Sequence, residues 1–428
     1  MRNTSIFGFV LFALSAGSLA QVRLQPPPPP EARLIRAGRI LEVRSGKYLL
    51  DQGILTEGEK IKEIGPWAEV QAHASKDTVV IDLSQATLLP GLIDCHAHLL
   101  ISGDLRLAPG EILITTVAQA SPSLRALMGA RNAREALASG ITSARIVGHS
   151  GINGDVALRD AINAGWIPGP RLQVAARKIT APGGHAQPMH SAVAEQLLRE
   201  EFLTVSTPDE ARAAVRENYA SGADLIKIVI DAGTNSSGKT RYMALDDARA
   251  VVQEAHRFGL KVAAHAEDNV AVQTAIDSGV DSIEHAWTAT EAQLKQMKDK
   301  GIFLVATELF FTTPPKDRLL RAIKIGVNIA MGSDAWTQRP GKTRGEATLM
   351  ELEALRNEGM PNLEIIRSST MNAAELMGWS DRVGELTAGK FADIIAVSGD
   401  PTQDIGLLQH APFVMKGAAV VRNDFAKN

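Results

Sequence analysis

Hydrophobic and polar positions along this chain change rhythm twice. From about residue 31 to residue 86 they alternate over short stretches, as in Gly38-Arg39-Ile40-Leu41-Glu42-Val43 and Lys60-Ile61-Lys62-Glu63-Ile64-Gly65. A period of two marks half-buried strands. The same texture returns near the C-terminus in Ala392-Asp393-Ile394-Ile395-Ala396-Val397 and Pro412-Phe413-Val414-Met415. Between these ends, short apolar runs fall at residues 89–94, 142–147, 172–176, 225–230, 262–265, 282–285, 302–306 and 327–331. Helical patterns separate them, among them residues 207–220 with Pro208 in the first turn and residues 245–258 with Gly259 as a stop. Continuous apolar runs are what strands buried on both faces require. Eight of them alternating with helices predict an α/β fold, a (β/α)8 TIM barrel. The two β-rich ends are expected to pair into one small β-sandwich, so that residues 31–87 and 384–428 form a composite domain beside a barrel of residues 88–383.

The N-terminus stands outside this pattern. Arg2 precedes the apolar run Ile6-Phe7-Gly8-Phe9-Val10-Leu11-Phe12-Ala13-Leu14, and small residues follow to Ser18-Leu19-Ala20. That order is expected of a secretory signal peptide over residues 1–20, cleaved to give an exported protein, periplasmic or secreted, with no membrane span. Residues 21–30, with prolines from Pro26 to Pro30, read as a stiff spacer. The chain has 428 residues and a net charge of −3 without a basic cluster, so nucleic acid is not expected as a partner. A single cysteine, Cys95, excludes an internal disulfide and reads as a buried thiol in the first barrel strand.

Polar residues at the ends of the apolar runs carry the chemistry. In Leu89-Pro90-Gly91-Leu92-Ile93-Asp94-Cys95-His96-Ala97-His98 the two histidines share one face of a strand, an arrangement suited to a divalent metal such as zinc. Lys227 lies inside the fourth run, His265 ends the fifth, His285 the sixth, and Asp334 follows the eighth. A lysine within an apolar strand loses hydration and must be paired or neutral. Barrel active sites form at the C-terminal strand ends, and these six residues fall in the strands or at their ends. An exported solute-binding protein has no need of such inward ligands, and this set weighs against one.

In the order His-x-His, Lys, His, His, Asp the chain resembles the amidohydrolase superfamily in its two-metal form. The flanks Pro90-Gly91-Leu92-Ile93-Asp94 and Gly389-Lys390-Phe391-Ala392-Asp393 agree. The stretch from Arg159-Asp160-Ala161 to Ile167-Pro168-Gly169-Pro170-Arg171-Leu172, followed by Gly183-Gly184-His185, is similar to the imidazolonepropionase-like and prolidase-like branch. That branch includes dipeptidases, carboxypeptidases and amidohydrolases that cleave ochratoxin A. The resemblance implies that Lys227 is carbamylated and bridges two zinc ions (Zn2+), with His96, His98 and Asp334 on one metal and His265 and His285 on the other. Such a pair generates hydroxide near neutral pH and polarises a carbonyl. Asp334 is the implied general base and then acid, and a homo-oligomer, an octamer among the forms, is also implied.

The substrate expected from this resemblance is a small amide: a dipeptide, an N-acyl amino acid or ochratoxin A. Its alternative is a cyclic-amide hydrolase or deaminase of the imidazolonepropionase type, which His265-Ala266-Glu267 favours and Lys227 opposes. His185 and His149 are candidates for polarising the carbonyl or binding the substrate, and Arg241 and Tyr242 for holding a free carboxylate. Where branch members carry Arg-Asp after the second strand, this chain has Arg145-Ile146, so a polar contact is expected to be missing. Phe310, Phe311, Thr312, Thr313, Pro314 and Pro315 form an apolar stretch after the seventh strand.

Overall fold

The computed structural model describes residues 31–427 apart from 108, 186–190, 235–236 and 311–316. The expected signal peptide and spacer, and the apolar stretch beyond Phe310, lie outside the described residues. Among the described residues no helix is long and apolar enough to cross a membrane.

Parallel strands and helices alternate through the middle of the chain. The strands are Leu92–Ala97, Ile141–Ile146, Arg171–Val174 with its continuation Lys178–Thr180, Leu225–Val229, Lys261–Ala266, Ser282–His285, Phe303–Ala306 and Ile329–Met331. The first three pair in one arc and the rest, from Lys178–Thr180 onward, in a second. Backbone hydrogen bonds bridge both gaps: Asp224 N donates to Val174 O at 2.8 Å and Asp334 N to His96 O at 2.9 Å. Almost every strand residue is buried, because helices cover the outside and side chains fill the inside. The helices start where the sequence offers a cap. Thr207 accepts from Glu210 N ahead of Pro208–Ala220, and Thr343 forms a reciprocal capping box with Glu346 ahead of Arg344–Asn357.

The third strand departs from the expected single run over residues 172–176. Ala176 takes a left-handed conformation (φ 56°), which breaks the ladder. The strand then exchanges partners, leaving Ile141–Ile146 at Val174 and joining Leu225–Val229 at Ile179. This switch carries Lys178 into the interior, where it is buried.

Both chain ends supply the small domain. Its strands lie in the order Ala419–Asn423, Phe413–Lys416, Ile394–Val397, Val79–Pro90, Arg33–Glu42, Lys47–Glu57 and Lys60–Pro66. The sheet curls over its own core of Ile35, Ile54, Ile61, Leu83, Ile394 and Phe413. Its far edge then meets the lead into Ile394–Val397, with Ile61 N donating to Lys390 O at 2.9 Å. Gly91 joins the small domain to the barrel. A Cβ there would lie 2.2 Å from Thr142 Oγ1, so only glycine passes, and Gly91 N donates to Asp393 O at 2.9 Å.

Candidate metal centre

The strand ends bring His96, His98, Lys227, His265, His285 and Asp334 together at one mouth of the barrel, all but Asp334 buried. Ring centroids lie 5.2 Å apart for His96 and His98, 5.1 Å for His96 and His285, and 4.7 Å for His265 and His285. The ligand atoms of His96, His285 and Asp334 fall within 4.8 Å of one another, and so do those of His185, His265 and Glu267. The second grouping draws His185 and Glu267 toward His265, whereas the resemblance paired His265 with His285.

Fixed partners orient three of the rings. His98 donates Nδ1–H to Gly148 O at 2.8 Å, and His96 donates Nδ1–H to Glu284 Oε2 at 2.7 Å. His285 Nδ1 lies 2.8 Å from Thr307 Oγ1. For His96 and His98 the acceptor fixes Nε2 as the free ring atom facing the interior, the tautomer that metal ligation needs. Burial, reinforced by the Lys227 charge, holds His96 and His265 well below the usual imidazole range; burial with His265 beside it does so for His285. Asp94 ties the first strand to the eighth. It accepts from His96 N at 3.0 Å, Ser333 N at 2.9 Å and Ser333 Oγ at 2.7 Å. His149, His285 and Asp334 all have positive φ (57°, 73° and 46°), so backbone strain is concentrated at this mouth. Arg318 steadies one of these points by donating to His285 O at 2.7 Å.

The donor set fits two divalent cations on two observations. With Nδ1–H donated to Gly148, the Nε2 of His98 is the ring atom left for a ligand, and it faces Asp334 Oδ1 at 3.1 Å, so the two ligand-type atoms converge on one point. Lys227 Nζ and His265 Nε2, moreover, are buried without a hydrogen-bond partner among the described residues, an expensive arrangement for a protein interior. Burial pushes the Lys227 amine down to about 8, which raises its neutral, CO2-reactive fraction. Nearby carboxylates are crowded: burial raises Asp231 and Glu267 to about 7 each, helped by Glu267 at Asp231 and by Asp334 at Glu267.

Residues 87–425 match the model of the amidohydrolase family. The chain belongs to that family. Ochratoxinase of Aspergillus niger is 30% identical over 363 residues, spanning 75% of this chain and 72% of its own length. Imidazolonepropionase of Shouchella clausii is 27% identical over 381 residues, spanning 80% and 78%. A crystal structure of a Xaa-Pro dipeptidase with methionine bound in its active site superposes with a TM-score of 0.78 at 30% identity, covering 91% of this chain and 99% of the other. This amidohydrolase is therefore an enzyme that hydrolyses carbon–nitrogen bonds of the amide type.

The remaining expected site residues divide. His185 lies against His265, with ring centroids 4.2 Å apart. His149 stacks on Trp336 at 5.4 Å, and its Nε2 is 2.7 Å from Lys178 Nζ. Arg241, by contrast, donates to Gly184 O at 2.9 Å and Ala232 O at 2.7 Å, which makes it a staple between two loops. Tyr242 donates its hydroxyl to Asp268 Oδ2 at 2.5 Å and is 38% exposed.

Sequence reasoning missed three participants. Glu284 immediately precedes His285 and was hidden by it. Its other oxygen accepts from Arg145 Nη2 at 2.8 Å and Ser282 Oγ at 2.6 Å, while the neighbouring Ile146 is a buried apolar residue. Lys178 resembled a charged loop residue beside Arg177. Burial and the Lys227 charge bring its amine down to about 7. Trp336, buried two residues past Asp334, carried no signal beyond its size.

Proposed function

We propose that this amidohydrolase is a zinc-dependent carboxypeptidase that cleaves the amide linking an acyl group to an amino acid with a free carboxylate. Dipeptides and N-acyl amino acids are its substrate class, and ochratoxin A, split to ochratoxin alpha and phenylalanine, falls within it. The observation that carries this reading is Lys227 Nζ, buried and unpartnered among imidazoles whose Nδ1 atoms are tied back. As a carbamate this amine would bridge two zinc ions, with His96, His98 and Asp334 beside one and His265 and His285 beside the other. Bound there, the metals would supply a low-pKa water and polarise the amide carbonyl. The methionine held by the dipeptidase relative supports an amino acid as leaving group.

The chain's own residues then handle protons and orientation. Asp334 Oδ accepts a proton from the attacking water as oxygen bonds to the carbonyl carbon. It returns that proton to the amide nitrogen as the carbon–nitrogen bond breaks, giving an acid and a free amine. Glu284 and Gly148 keep His96 and His98 in register throughout, and Asp94 fixes the distance between their strand and Asp334. His185, packed against His265 with ring centroids 4.2 Å apart, would polarise the carbonyl or bind the substrate.

Hydrolysis of N-acyl amino acids and dipeptides, ochratoxin A included, tests the reading by mass spectrometry of the products. Release of a free amino acid, abolished by a chelator, is expected. A second reading, hydrolysis or deamination of a cyclic amide, is favoured by Glu267 Oε1 lying 3.3 Å from His265 Nε2. A metal-loaded protein that leaves the whole panel intact selects it.

A further inference from the structure

Next to Asp334 lies a cavity of about 180 Å3 whose apolar wall comprises Leu105, Leu107, Ile112, Leu309 and Trp336 and whose charged lining is Asp334 and Arg339. Dry apolar cavities of about 150 Å3 hold a benzene ring. A wider cavity shares Leu105, Thr337 and Arg339 with this slot and opens past Arg106, Arg131, Lys342 and Arg344. Most of those cations are engaged. Arg106 pairs with Asp104, Arg131 donates to Asn132 Oδ1 at 3.1 Å, and Arg344 donates to Ala335 O at 2.5 Å. Lys342 lies in the field of Glu346, whereas the Arg339 side chain has no hydrogen-bond or ion-pair partner among the described residues. Asp104, Glu135 and Glu346 also line the wider cavity, and Arg339 belongs to both linings, so it stands where the mixed-charge cavity adjoins the apolar slot.

We propose that the slot receives the apolar side chain of the leaving amino acid and that Arg339 binds its free carboxylate, an assignment that rests on the amide-hydrolase reading above. Three substituents meet at the Cα of a leaving amino acid: the nitrogen to be protonated, a carboxylate and a side chain. The cavity offers three matching surfaces within one small volume, namely the Asp334 carboxyl, the Arg339 guanidinium and the leucine-rich wall. Asp334 fixes the orientation, because the group that hands a proton to the leaving nitrogen must lie on the leaving side of the bond. Arg339 takes the carboxylate because Arg241 and Tyr242 are already engaged elsewhere, and guanidinium geometry matches a carboxylate with two parallel hydrogen bonds. An acidic side chain in the slot would face Asp334 and be repelled; glycine would leave the wall uncovered.

The test uses the metal-loaded full chain with N-acetyl-L-phenylalanine, its carboxamide, N-acetylglycine and N-acetyl-L-aspartate, alongside calorimetric binding of L-phenylalanine. The free acid of phenylalanine should be preferred over its carboxamide by about tenfold to a hundredfold in kcat/KM, mainly through KM, the range of a charge-assisted hydrogen bond. Arg339→Gln should bring that ratio near one, and Arg339→Lys should restore part of it. Leu107→Trp, which fills the slot from its open side, should depress the phenylalanine substrate and spare the glycine one. L-Phenylalanine should bind the wild-type enzyme and lose affinity in Arg339→Gln. Retained acid preference in Arg339→Gln, or equal use of phenylalanine, glycine and aspartate substrates, overturns the assignment. If no amide of the panel is cleaved, the carboxypeptidase reading has failed, and the calorimetry still decides the slot: absence of L-phenylalanine binding, or binding unaffected by Arg339→Gln, sinks it.

Discussion

Glu284→Gln is the sharpest perturbation of the centre, because it changes one atom in a fully buried side chain that touches three groups. Glu284 accepts from His96 Nδ1 at 2.7 Å, Arg145 Nη2 at 2.8 Å and Ser282 Oγ at 2.6 Å. A glutamine fills the same space but has one acceptor oxygen where the carboxylate has two. Its NH2 must therefore face either the Nδ1–H of His96 or the guanidinium of Arg145, donor against donor. Removing one partner of a buried ion pair costs about 3–5 kcal/mol, since the other charge stays behind uncompensated. At about 2 °C per kcal/mol for a large domain, the melting temperature should fall by roughly 6–10 °C. Metal affinity should fall separately, by about 10- to 100-fold, because His96 loses the acceptor that holds its ring and tautomer. Calorimetric melting of metal-loaded and chelator-stripped protein, with competition against a chelator of known affinity, resolves the two effects. The double variant Arg145→Met with Glu284→Gln should recover stability without recovering metal affinity. Unchanged melting and unchanged affinity in Glu284→Gln would refute the view that this network positions His96.

Two further outcomes follow from particular atoms. Carbamylation joins the neutral Lys227 amine to CO2 with loss of a proton, and that amine sits near 8 rather than at its usual alkaline value. At fixed dissolved CO2, activation of metal-free enzyme by added zinc should quicken as pH rises toward 8 and level off above it; a rate independent of pH contradicts the assignment. Gly91→Ala places a methyl group against Thr142, and the overpacking should destabilise the chain by about 1–3 kcal/mol in urea unfolding. Wild-type stability in that variant would show that the domain junction yields.

Much of the barrel was legible because its strands are buried on both faces and read as uninterrupted apolar runs. The first, fourth, fifth and sixth ended on His-x-His, carried Lys227, or ended on His265 and His285, and the structure brings those ends to one mouth. The third strand was read short for a local reason: the chain breaks at Ala176 and resumes at Lys178 with a new partner. Sequence period carries no trace of a partner switch. Glu284 and Arg145 were illegible as a pair because their contact joins residues 139 positions apart. Arg241 and Tyr242 show the converse: their residue types suit carboxylate binding, but which neighbour captures a long side chain is settled by loop geometry. The small domain's β-strands were plain from alternation, while the curl that brings Ile61 to Lys390 was not.

The central claim is that Lys227, buried without a hydrogen-bond partner among the described residues, is the bridge of a two-metal centre. Measuring bound zinc and turnover in Lys227→Ala beside the wild type tests it most directly, with circular dichroism to confirm the fold. The account predicts two zinc ions per wild-type chain, one or none in the variant, and loss of turnover with the barrel intact. Two zinc ions and full turnover in Lys227→Ala would contradict it.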